Sequence, residues 1–215
     1  MSKPKQSGAS DSQVKALLER YKCPTPFHAV RTLFLGNIAT PVFEGSPLQT
    51  VKQLWGGELP EFKTMEAVNE LLDALVAGLW NRLTAHQSRR NPFRLLRFEV
   101  APTREGLKHM ALVRQQEVEG FLDGLFGPRK SIDLPEDAHH AISALGEVRA
   151  MMAGAVALLN DLSKPADAPG LKALIYNLQQ MTLIAERDLN QVIHSCMRAR
   201  RQPMEQIPLT KPTLH

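Results

Sequence analysis

Apolar residues recur at three- and four-residue intervals along most of the chain, the spacing of helices that bury one side. The cleanest run opens after Thr64, a natural N-cap residue. Val68, Leu71, Leu72, Leu75, Val76, Leu79 and Leu83 follow the spacing, and Glu66, Asn69, Glu70 and Asp73 take the wet side. Asn91-Pro92 is expected to close it. Three shorter helices are predicted before it. One spans Ser12 to Tyr21, with Val14, Leu17, Leu18 and Tyr21 on one face, and Pro24 ends it. The next starts at Thr25-Pro26, carries Phe27, Val30, Leu33, Phe34 and Ile38, and stops before Pro41. The third starts at Ser46-Pro47, carries Leu48, Val51 and Leu54, and ends at Gly56-Gly57.

Residues 93–102 fit neither helical spacing nor a paired strand and are read as an extended connection. Thr103 then caps a fifth helix that reaches Gly127. Val118, Phe121, Leu122 and Leu125 form its apolar side, and Gly120, Gly124 and Gly127 lie on another. Interior helical glycine costs roughly 1 kcal/mol against alanine, so two of them one turn apart point to close approach of another backbone, the alternative being that Gly120 or Gly124 ends the helix as a C-cap. Close approach makes the fifth helix a central one. The sixth, from Pro135 to about Leu162, has an apolar stripe of Ala138, Ile142, Leu145, Val148, Met152, Val156 and Leu159. A second stripe holds only small residues: Ser143, Gly146, Ala150, Ala153, Gly154 and Ala157. It is the expected partner of the glycine face on the fifth helix. The last helix, from about Pro169 to Arg200, carries a stripe from Leu171 to Cys196. The expected architecture is all-α, about seven helices in one compact domain over residues 11–201, with flexible tails at 1–10 and 202–215.

Composition supports this. The chain has 215 residues, 43% of them hydrophobic, and few aromatics. Its net charge of +4 permits contact with nucleic acid without arguing for it. Cys23 and Cys196 lack paired spacing, which points to reduced thiols and a cytoplasmic setting. Residues 1–10 have no apolar leader core, and the longest apolar run, Ala150–Leu159, is too short for a bilayer, so no membrane partner is expected.

No catalytic, cofactor-binding or metal-ligating set emerges. Glu136 and His139 match the Glu-x-x-His spacing of di-iron bundles, but the second motif and the further glutamates are missing. Gly124 to Ser131 loosely matches a phosphate loop without the glycine before Lys130 or a preceding strand. His28, His109 and His194 lie on separate helices. Arg82, Arg89, Arg90, Arg94 and Arg97, interleaved with Phe93 and Phe98, form a basic middle suited to single-stranded nucleic acid or to a solvated helix end. Arg198, Arg200 and Arg201 suit the negative end of the last helix dipole. Arg114 falls near an apolar stripe and is expected to pair with Glu117 or to snorkel; an anion-binding role is the further alternative. Asp123 has no structural explanation.

Several stretches resemble the YecA/YgfB-like family of bacterial helical proteins. They are Phe27-His28 with Gly36, Trp55-Gly-Gly-Glu-Leu-Pro-Glu-Phe62, Leu79-Trp80-Asn81-Arg82-Leu83 and Gly120-Phe121-Leu122-Asp123-Gly124. Their order and spacing agree over roughly residues 24–160. The chain departs from the pattern at His28-Ala29-Val30 and at Glu117-Val118. It lacks the cysteine-rich SEC-C zinc module found in some relatives, with only Cys196 near its end. The resemblance implies an all-α fold and no particular reaction. The expected function is that of a non-enzymatic adaptor or regulator working through protein contacts, with self-association among them. The competing expectations are a nucleic-acid-associated regulator using residues 82–108, and a metal-dependent helical enzyme.

Overall fold

The computed structural model describes residues 9–41, 46–129, 131–163 and 167–205, with side chains to Arg201. It is all-α, with seven helical rods and no strand among these residues. α1 is Asp11–Arg20, α2 Phe27–Ala39 and α3 Pro47–Gln53. α4 is composite. Met65–Leu72 has α geometry, Asp73–Trp80 wider π turns, Asn81–Leu83 α geometry and Thr84–Gln87 tighter 3₁₀ turns. α5 is Arg104–Phe126, α6 Glu136–Asn160 and α7 Ala168–Glu205.

Local chemistry explains most boundaries. Ser10 and Gln13 form a capping box on α1, so Ser10 belongs to the helix start and not to the expected tail. The rest of that tail, residues 1–8, lies outside the described residues. Ser46, Thr64 and Thr103 each accept a backbone N–H at the starts of α3, α4 and α5. Gly127, with φ +58°, closes α5. Two arginines cap helices distant in sequence, satisfying terminal carbonyls. Arg104 Nη1 donates to the carbonyls of Leu159 and Asp161 at 3.0 Å, closing α6. Arg200 donates to the carbonyls of Ile38 and Thr40, closing α2. That is a tertiary contact, where the dipole of its own helix was the expectation.

Two differences concern α4 and α7. The rod expected to run to Asn91 breaks at Ser88, whose backbone is extended. Its middle, Ala74–Trp80, has no polar side chain to mark one wet side. Burial of Leu75 and Leu79 and the Trp80–Phe34 ring contact, at 5.4 Å, hold the register there. α7 continues through Gln202 to Glu205, past the expected start of the tail; residues 206–215 lie outside the description.

The core is built on α2 and α5. α2 buries Ala29, Val30, Thr32, Leu33, Phe34, Leu35, Gly36, Ile38 and Ala39, so it is covered on every side. α5 packs along α2 and also touches α6 and α7, as a central helix must. The glycines determine the first contact. A Cβ on Gly124 would sit 1.9 Å from the Leu33 carbonyl oxygen, and one on Gly120 2.8 Å from that of Ala29. The glycine face therefore meets α2 and not the small-residue stripe of α6. A Cβ on Gly146 or Gly154 would meet nothing within 4 Å, and Ser143, Ala150 and Ala157 are not buried. That stripe points outward because α6 turns its larger residues, Leu145, Val148, Met152 and Leu159, into the core. The Trp55–Phe62 segment is also structural. Trp55 Nε1 donates to the Tyr21 carbonyl at 2.9 Å, and Phe62 packs on Tyr21 at 5.0 Å.

Candidate functional site

The expected arginine-rich middle divides into paired and unpaired side chains. Residues 92–101 have neither helix nor strand and form a strap across α5 and α7. Phe93 N–H donates to Asn190 Oδ1 at 2.8 Å, and Asn190 Nδ2 returns a bond to the Phe93 carbonyl at 3.0 Å. Leu95 N–H donates to Glu186 at 3.0 Å and Leu96 N–H to Glu117 at 2.8 Å. Side chains thus replace a neighbouring strand, which answers the strap's backbone polarity.

Arg94 and Arg97 both reach the buried Glu186 carboxylate, at 2.9 and 2.8 Å. Arg82 pairs with Asp11 and with the Ala9 carbonyl. Three of the five arginines proposed for nucleic acid are therefore engaged by this chain's own groups. Arg89 and Arg90 are exposed and form no ion pair with another described residue.

Arg114 is 3% exposed and Glu117 0%. They are paired, as expected of residues one helical turn apart. Arg114 also donates to the Leu96 carbonyl and to Thr182 Oγ1 and lies 5.3 Å from the Phe98 ring. Burial pushes the Glu117 carboxyl up, opposed by Arg114 and by the Leu96 N–H. With its donors occupied inside the protein, Arg114 holds the strap and is not presented to an outside anion. His28 and His109 come near the same cluster. His28 Nε2 lies 2.8 Å from Gln116 Oε1, and His109 meets Phe98 edge-on at 5.4 Å. Burial, then the charges of Arg114, His109 and Arg31, hold the His28 imidazole below its ordinary value against the Gln116 bond.

Glu186 and Asn190 are the functional-looking residues that the hydrophobic pattern did not single out. The available signal was Thr182, Glu186 and Asn190 at four-residue spacing beside the apolar stripe of α7.

His194 is separate. It lies with Arg89, Arg198 and Arg201 along an open groove of about 840 Å³ between the end of α4 and α7. Desolvation, with Arg89 and Arg198 nearby, lowers its pKa against the Gln87 backbone. Arg198 and Arg201 thus line a groove, apart from any effect at a helix end.

The remaining candidates do not converge. Burial raises the Cys196 thiol to about 11, and the Cys23 thiol is raised too. Both cysteines are free. Glu136 and His139 are both exposed at the start of α6, and no group of three metal-binding side chains exists among the described residues. In the loose phosphate-loop match, Gly124 is packed against α2, while Lys130 lies outside the described residues. Asp123 is exposed beside Glu119 and Gln116 on a groove of about 420 Å³; desolvation, then Glu119, raises its carboxyl.

The α6–α7 hairpin carries a different surface. Met151, Leu158 and Leu162 on the α6 side, and Tyr176, Leu183 and Ile184 on α7, are six of the nine large hydrophobic residues that are exposed among the described residues. The expectation based on Ala150–Leu159 alone was too narrow. α6 as a whole is long and apolar enough to cross a membrane by length and composition, and only 28% of that apolar window is buried. No protein-family model, curated protein or solved structure matches the chain.

Proposed function

We propose that this chain is a non-enzymatic, self-associating adaptor or regulator that works through protein contacts, with a second copy of itself as the first partner. The observation that carries the reading is the concentration of exposed apolar side chains on the α6–α7 hairpin, with Leu162 83% and Tyr176 62% exposed. Exposed apolar groups gathered on one element mark contact surfaces more than scattered ones do. The hairpin also offers both halves of a self-complementary contact. Ala150, Gly154 and Ala157 leave room for close approach, and Met151, Leu158 and Tyr176 supply bulk. A two-fold interface needs that combination within one surface, since each copy presents the same patch.

Membership of the YecA/YgfB-like family belongs to this proposal and rests on the motif residues at positions 27–28, 55–62, 79–83 and 120–124. A cytoplasmic location belongs to it as well, supported by the two free cysteines. Sedimentation equilibrium of the wild type beside Leu158→Glu tests self-association: the wild type is expected to gain mass with concentration and the variant to stay monomeric.

A further inference from the structure

We propose that the groove between the end of α4 and the C-terminal half of α7 binds a small, multiply charged phosphate-bearing ligand. His194, Arg198 and Arg201 stand at four- and three-residue intervals, so they share one side of α7. Arg89 faces them from the segment after α4, with Ser88 and Gln87 on the same wall. Among the described residues, the groove lining contains no carboxylate. Among the described residues, Arg89, Arg198 and Arg201 form no ion pair with any acidic side chain, unlike Arg82, Arg94 and Arg97. Like charges one turn apart on a helix repel, and an anion between them removes that cost.

Size and lining select the ligand class. About 840 Å³ lies within the range of small-molecule sites. Guanidinium groups bind phosphate oxygens bidentately, which suits a ligand with several phosphoryl groups. Among the described residues no Phe, Tyr or Trp lines the groove, so these residues offer no stacking platform for the bases of a single strand. Its one large apolar lining residue among the described residues, Met197, is half-buried and packed on the core, so the groove presents no exposed apolar side chain to a lipid surface. Both absences favour a free phosphate ligand over a nucleic acid or a membrane.

Calorimetric titration of the full chain with inorganic tripolyphosphate tests this, with Arg89→Ala/Arg198→Ala as the altered protein and Arg20→Ala as the control. The wild type and the control are expected to bind, with affinity falling as salt rises, and the double variant to bind at least about 10-fold more weakly. Thermal unfolding of the double variant without ligand checks that it folds; Arg201→Ala alone serves if it does not. Absence of binding by the wild type, or equal binding by a folded groove variant, overturns the proposal. So does binding of a single-stranded oligonucleotide or of anionic vesicles without binding of tripolyphosphate.

Discussion

Gly124 and Gly154 are the same residue type in opposite settings. Gly124 has the Leu33 carbonyl against its Cα, whereas Gly154 faces open space. Gly124→Ala is expected to cost about 1–3 kcal/mol through overpacking. Gly154→Ala is expected to be neutral or to gain up to about 1 kcal/mol, because it only restricts the unfolded chain and favours the helix. Urea denaturation of the pair checks both; equal effects would show that α2 and α5 are not in backbone contact. His28 supplies a pH dependence. Its folded pKa is lowered by burial, so as pH falls below 6.5 the unfolded chain takes up the proton first. Stability from this residue is therefore present above 6.5 and declines as pH drops toward the folded value. The stability of wild type relative to His28→Gln is expected to be lower at about pH 5.5 than at about pH 7.5. A difference that does not change between the two pH values would mean that His28 is as free to ionise in the fold as in the unfolded chain.

At the scale of elements, the strap of residues 92–101 depends on carboxylates more than on its own pattern. Removing the Glu186 side chain leaves the Leu95 N–H without its acceptor and releases Arg94 and Arg97. Glu186→Ala is expected to cost about 1–3 kcal/mol. Hydrogen exchange should quicken at Leu95 while the amides of α2 keep their protection. Unchanged exchange at Leu95 would contradict the strap's attachment. The helices themselves were legible, because Ser46, Thr64, Thr103 and Gly127 write their ends into the sequence. Which face meets which neighbour was not. Periodicity identifies a glycine face on α5 but not whether α2 or α6 fills it, and the decisive sign was the consecutive Leu33-Phe34-Leu35 of α2, which spans too wide an arc to be buried on one side alone. The charge oddity of Arg114 was visible in the stripe of α5. The groove was not, since Arg89 and His194 are brought together only by the packing of α4 and α7.

The whole molecule joins two centres of different character. A closed core around α2 and α5 holds the strap and its buried ion pairs, and the α6–α7 hairpin extends an incompletely covered apolar surface. Only 28% of the apolar window of α6 is buried, so apolar side chains outside its core-facing stripe are left at the surface. A second copy of the hairpin would cover that surface. Stable contacts of this kind need about 1,200–2,000 Å² in total, which a pair of two-helix faces can supply. Charge on this surface should prevent the contact without touching the core, because Leu158 is 43% exposed. Sedimentation equilibrium on wild type and Leu158→Glu, over a concentration series, is the direct measurement. The wild type is expected to rise from 23.9 kDa toward twice that mass, and the folded variant to remain at 23.9 kDa. A wild type that stays at 23.9 kDa throughout the series, or a folded variant that associates equally well, would contradict self-association through the hairpin.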